Sequence, residues 1–350
     1  MEKKRVIYLD LLRLVAIYFM MMIHIAGGYA SSTKVLTGNW IIANLYECCV
    51  RCCIPLFFMI SGVFFLNPEK NYTFERLLKN NIKRIVCAFV FWSAIYAIYS
   101  CIADDNHSIT HMIKTVIQQI STGHYHLWFL FTLVGIYLVV PILRKISEDE
   151  NILKGSLGIG IIFVFILPFL VDLSEKYTSI LKDDFDNVNY GFLGGYVLFF
   201  MIGYYLYIKP ISVKAEIMIY VLGVLGAVFG FGATWYIAYK TGDYSQKYYA
   251  YITWNVLVEA VAMFVLFKNR ISKIKLSAKA IKVVNVISAL SFGMYLVHDF
   301  FNGIFVNMGG LDWSRGLIII IPIVTACVFI FSFGVIWLLS KVPILKKYIM

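Results

Sequence analysis

Charge is what this sequence has least of. Of its 350 residues, 15% are Asp, Glu, Lys or Arg and 61% are hydrophobic. A soluble chain carries about 25% charged and about 45–50% apolar residues. That contrast excludes an ordinary soluble domain, and chain length no longer counts domains because the core is shared with lipid. Linkers are missing as well: no Pro/Gly/Ser-rich or low-complexity tract divides the chain, and no internal repeat is visible. A single integral domain over residues 1–350 is expected. A disulfide framework is also absent, since the seven cysteines are odd in number and mostly lie in apolar runs. Residues Cys48-Cys49-Val50-Arg51-Cys52-Cys53 hold one C-x-x-C spacing, but no His or second pair accompanies it. Small apolar residues inside a membrane helix describe it better than zinc or redox chemistry. Neither a metal site nor a bound cofactor is expected.

What the chain does have is apolar length. A helix needs about 20 apolar residues to cross a bilayer. Ten stretches qualify, at about 6–27, 40–66, 83–103, 126–144, 155–172, 191–208, 213–238, 248–267, 284–307 and 314–340. Asp10 and Arg13 interrupt the apolar run of the first, which argues against a signal peptide. The expected fold is therefore all-α, a polytopic transmembrane helix bundle of about ten spans. The net charge of +11 raises nucleic acid as a partner, but its distribution answers otherwise. With the N-terminus inside, 22 of the 31 Lys and Arg fall in inside segments, seven fall outside, and Arg13 and Arg51 remain in the membrane. The basic excess is then a topology signal that places both termini in the cytoplasm. Nucleic acid loses its support as a partner, and the lipid bilayer takes its place.

Charges inside a span cost at least about 2.5–3.5 kcal/mol at the bilayer centre and are functional candidates by default. On span 1, Arg13 and His24 are eleven residues apart, close to three helical turns. They share one face and lie about 16 Å apart along the axis, so they cannot touch. Asp10 sits one turn before Arg13 and can neutralise it. His24 can take and return a proton near neutral pH. It also fits a packing role, hydrogen-bonded to a neighbouring helix. Glu47 and Arg51 have the i, i+4 order of a helical ion pair. Glu259 needs a partner on another helix or a neutral carboxyl. His124 and His126 flank Tyr125 where span 4 begins, and His298 and Asp299 lie on span 9. Trp128 also fits an interfacial belt. His107 and His111 belong to a polar outer loop.

Several segments, in order, resemble the membrane acyltransferase 3 family. Leu9-Asp10-Leu11-Leu12-Arg13 followed by His24 is similar to the family's Arg-x10-His signature. Ile54-Pro55-Leu56-Phe57-Phe58-Met59-Ile60-Ser61-Gly62 resembles its PLFF-x-x-SG segment. His126-Leu127-Trp128-Phe129-Leu130 and the run from Gly195-Tyr196 to Gly203-Tyr204-Tyr205-Leu206 follow. Ser291-Phe292-Gly293-Met294-Tyr295-Leu296-Val297-His298 resembles the family's YLIH span. One departure stands out: where relatives carry R-x-x-R entering the third span, this chain has Asn81 before Arg84, with Lys83 beside it.

The resemblance implies an O-acyltransferase of the cytoplasmic (plasma) membrane, of a kind found in bacteria and some animals. Its donor would be acetyl-CoA or a related acyl-CoA. Its acceptor would be a hydroxyl of a surface polysaccharide or lipid-linked sugar. His24 becomes the candidate base or a transient acyl carrier. Arg13 would order the site or bind donor oxygens. Arg76, Lys83 and Arg84 would hold CoA phosphates, although the topology rule accounts for them equally well. His126, Trp128 and His298 would line the acceptor side. Ser61 would pack beside Gly62 or donate to an oxyanion. A competing reading is a transporter or exporter of a small solute or glycan, which buried charges and ten helices also suit.

Overall fold

A computed structural model describes residues 5–70, 72–103, 108–173, 194–307 and 316–350. Among these residues the chain is 85% helical and contains no strand. That is what lipid demands, because a helix satisfies its backbone N–H and C=O groups without water. The helices are α1 (Ile7–Ser32), α2 (Gly38–Val50), α3 (Cys53–Phe65), α4 (Lys83–Ala103), α5 (Ile109–Thr122), α6 (Trp128–Glu148) and α7 (Glu150–Leu173). They continue with α8 (Gly195–Ile208), α9 (Val213–Thr241), α10 (Trp254–Asn269), α11 (Ala278–Asn307), α12 (Leu317–Leu339) and α13 (Pro343–Tyr348).

Each expected span contains a helix. Nine helical runs among the described residues are long and apolar enough to cross a membrane. The stretch expected at 191–208 is represented by α8, which has 14 residues; residues 191–193 lie outside the described ones. The outer loop expected after span 3 is different. Residues 109–122 form α5, which includes His111, while His107 lies outside the described residues. Lys114, Gln118 and Gln119 make this segment too polar to read as a span. Ile109, Ile113 and Ile117 nonetheless repeat every four residues and form an exposed apolar stripe along it.

Two packing details position the site. The α3–α8 crossing is set by glycine. A Cβ on Gly62 would collide with the backbone oxygen of Phe200, and one on Gly203 with the backbone of Met59. These glycines let two main chains touch, as small residues do between membrane helices. The second detail is a proline repair. Pro322 lies inside α12 and has no N–H to give the carbonyl of Ile318. Tyr46 of α2 donates its hydroxyl to that carbonyl at 2.5 Å, and Tyr18 of α1 donates to the Pro322 carbonyl at 2.9 Å.

Helices α1 and α11 run parallel. Residues Asp10 and Arg13 meet Ser288; His24, eleven residues beyond Arg13, meets His298, ten residues beyond Ser288. The same two helices thus supply both ends of the polar axis that begins at Arg13.

Candidate active site

At the Arg13 end, one carboxylate gathers three donors. Ser288 donates to Asp10 Oδ1 at 2.5 Å, Arg5 Nε donates to Asp10 Oδ2 at 2.8 Å, and Arg13 Nη1 lies 3.5 Å from Asp10 Oδ1. Arg13 Nη1 also donates to Ser288 Oγ at 3.1 Å. Asp10 is 3% exposed, and a carboxylate so buried needs this much compensation. Arg13 lines a cavity of about 360 Å³ with Ser61, Asn81, Arg84, Ser288, Ser291 and several Phe rings, and Tyr295 also forms part of its wall.

Asn81 belongs to a π-helical stretch, Leu77–Ile82, that leads into α4. Such a stretch holds an extra residue per turn and resets the face that follows, a device common at functional sites. Arg84 reaches the cavity just after it and also donates from Nε to the backbone oxygen of Met350. Lys83 and Arg76 are exposed and lie over the rings of Tyr348 and Tyr72, at 5.8 and 5.4 Å. Neither lines the cavity. Of the three basic residues expected to hold donor phosphates, the fold brings only Arg84 to it.

At the His24 end, imidazoles from three segments converge. The His24 and His298 ring centroids are 5.0 Å apart, and those of His126 and His298 are 5.1 Å apart. His298 is fully buried, and its Nδ1 lies 2.6 Å from the Tyr295 carbonyl. A carbonyl only accepts, so Nδ1 carries the proton and Nε2 keeps a lone pair. Tyr125 donates its hydroxyl to Asp299 Oδ1 at 2.5 Å and lies 3.3 Å from His24 Nδ1. With its own proton committed to the carboxylate, the Tyr125 oxygen accepts from His24 Nδ1–H. The network therefore assigns the lone pair of His24 to Nε2. His124 and His126 face each other through Nδ1 at 2.9 Å, and His124 Nδ1 lies 3.6 Å from Asp299 Oδ2.

One side-chain layer lies between the two ends. Tyr295 borders the Arg13 cavity, donates its hydroxyl to the His126 carbonyl at 2.7 Å, and has its ring centroid 6.1 Å from that of His298. Phe129 stands beside it, with ring centroids 5.6 Å apart.

This geometry offers two arginines lining a cavity, a partition and an imidazole with a directed lone pair. Residues 6–341 match the family model described as an acyltransferase domain, that of acyltransferase family 3. The chain belongs to this family. It is a membrane acyltransferase with many spans. No curated protein and no solved structure gives a match.

The remaining expected site residues of the acyltransferase fall as follows. His24, His126 and His298 come together, while Ser61 lies on the Arg13 side. Trp128 lies apart from the imidazoles, against Tyr251 and Tyr196 at 5.8 and 5.6 Å. Arg51 joins that aromatic group, with its guanidinium 5.7 Å from the Tyr251 ring, and it pairs with Glu47 as its spacing suggests. Glu259 is 6% exposed, and neither carboxyl oxygen has a hydrogen-bond partner among the described residues. The cysteines in the described residues are free. Tyr125, His124 and Ser288 were not among the expected site residues, and Asp299 was expected only as a charge within a span, with no role. The sequence held one hint, because residues 288 and 299 share the eleven-residue spacing of 13 and 24.

Proposed function

We propose that this acyltransferase moves an acetyl group, or a related acyl group, from acyl-CoA at the Arg13 end to a hydroxyl at the His24 end. The acceptor class is a surface glycan or lipid-linked sugar. The excess of basic residues in alternate loops supports a topology with the Arg13 end in the cytoplasm, where acyl-CoA is made, and the His24 end outside. The observation that carries the reading is the His24–Tyr125–Asp299 chain, which presents His24 Nε2 as a base.

The residues divide the work. Arg13 and Arg84 give donor oxygens charge-assisted partners at the cavity mouth. The pantetheine arm, which is long and thin, follows the aromatic wall toward Tyr295. His24 Nε2 takes the proton of the acceptor hydroxyl as that oxygen bonds to the thioester carbonyl carbon. The tetrahedral oxyanion collapses, the carbon–sulfur bond breaks, and the imidazolium returns the proton to the leaving CoA sulfur. Asp299 stabilises the imidazolium through Tyr125, much as a buried carboxylate orients a catalytic histidine elsewhere. An acyl-imidazole on His24 Nε2 would satisfy the same geometry in two steps.

The test is transfer of label from acetyl-CoA to extracted glycan or lipid-linked oligosaccharide by the purified protein in nanodiscs. His24→Ala should lower the rate by about 10²–10⁴-fold, the usual worth of a general base. Retained transfer in a well-folded His24→Ala protein would overturn the role of His24.

A further inference from the structure

The imidazole cluster contains more ligand atoms than base catalysis uses. His124, His126 and Asp299 offer three that all lie within 4.8 Å of one another. We propose that these residues hold a divalent transition-metal ion of the zinc class beside His24, with a coordination position left for an oxygen ligand.

Spacing is the first argument. Zinc bonds imidazole nitrogen at about 2.0–2.1 Å and carboxylate oxygen at about 2.0–2.2 Å, which in a tetrahedron separates ligand atoms by about 3.3 Å. The Nδ1 atoms of His124 and His126 are 2.9 Å apart, and His124 Nδ1 is 3.6 Å from Asp299 Oδ2. Those two separations bracket the required one, and the third, between His126 and Asp299, is within 4.8 Å, so side-chain rotations that draw these two groups together complete the set. Two imidazoles and one carboxylate are also a donor set that suits zinc, and three protein ligands leave the fourth position open.

The surroundings already hold the ligands in place. Asp299 uses Oδ1 for the Tyr125 hydroxyl, which leaves Oδ2 for the ion. His124 is stacked on Tyr96, with centroids 4.2 Å apart, and Tyr96 is stacked in turn on Phe300 at the same distance. The Tyr295 hydroxyl fixes the backbone of His126 at 2.7 Å. Outer partners of this kind orient metal ligands and tune them. The side chains of His124 and Asp299 are 21% and 14% exposed, which provides an entry path, while His126 closes the inner side. Without an ion, two imidazoles share one hydrogen bond beside a carboxylate that only one of them approaches. An ion uses all three groups at once.

Metal binding does not rest on the acyl-transfer reading and is measured without it. Untagged protein, purified in detergent and stripped with chelator, is titrated with Zn²⁺ by calorimetry and with Co²⁺ by visible absorption. About one ion per chain is expected, with the intense Co²⁺ bands of a four-coordinate site. His124→Ala and Asp299→Asn should each weaken Zn²⁺ binding by at least about 100-fold, beyond what loss of an outer partner costs. Both positions are partly exposed and Asp299→Asn is isosteric, so folding is preserved and is checked by the elution profile. His24→Ala should bind Zn²⁺ as the parent does even if transfer is lost. Binding well below one ion per chain in the parent, or undiminished affinity in either ligand variant, overturns the site.

Discussion

Arg13 and Ser288 are joined by a 3.1 Å hydrogen bond between two parallel helices, and both helices deliver their second functional residue eleven positions later. The offset of 275 between 13 and 288 recurs between 24 and 299. One register therefore sets both the arginine end and the imidazole end. A double-mutant cycle with Arg13→Gln and Ser288→Ala should show coupling of about 0.5–3 kcal/mol in acyl-CoA affinity, the range for contacting residues. Additive effects would separate Ser288 from Arg13.

Tyr125→Phe keeps the ring and removes the hydroxyl that links His24 to Asp299. We expect the transfer rate constant to fall about tenfold or more, with little change in KM for acyl-CoA, because the lost contacts serve the imidazole and not the donor. A rise in KM alone would contradict the assignment.

Arg84→Ala should raise KM for acyl-CoA about tenfold, since a charge-assisted hydrogen bond is worth about 1.5–3 kcal/mol. Arg76→Ala and Lys83→Ala should leave it within about twofold, as neither residue lines the cavity. Equal effects at the three positions would show that the donor extends well beyond the cavity mouth.

The spans were legible because the bilayer imposes a length, and the shared face of Arg13 and His24 because the helix imposes a period. Several other features had no such rule behind them. Ser288 looks like any small residue in an apolar helix until Asp10 and Arg13 are brought to it. The imidazole cluster joins residue 24, residues 124–126 and residues 298–299, and no periodicity links positions so far apart. Some basic residues counted for topology also have a structural task. Arg144 donates from Nη1 to the carbonyls of Phe65 and Asn67 and from Nη2 to that of Lys70, capping the end of α3. Lys268 does the same for Leu206 and Lys209. A count of loop charges cannot tell such a cap from a ligand-binding residue.

Tyr46→Phe should destabilise the bundle by about 0.6 kcal/mol, the average for hydrogen bonds between membrane helices, and by no more than about 1.7 kcal/mol, their maximum. The cost should shrink in a Pro322→Ala background, where residue 322 regains the N–H that serves the Ile318 carbonyl. Reversible unfolding in mixed micelles measures both. An undiminished cost in the double variant would show that the Tyr46 hydroxyl is not replacing the missing helical bond.

Gly203→Ala should cost about 1–3 kcal/mol by overpacking, because the new methyl meets the Met59 backbone and not a movable side chain. Gly232→Ala, in α9 with nothing within 4 Å of the added carbon, serves as the control and should be neutral or slightly stabilising. Thermal melting of the two proteins in one detergent decides it.

The Tyr295 partition has an electrical consequence. A bilayer insulates over about 30 Å of hydrocarbon. Where polar groups approach from opposite ends, the insulator is only as thick as what still divides them. Between the Arg13 cavity and the imidazoles that is Tyr295 with Phe129 beside it. With both sides wetted, the membrane voltage falls mainly across that layer, and a charge carried past Tyr295 crosses most of the field in a single step.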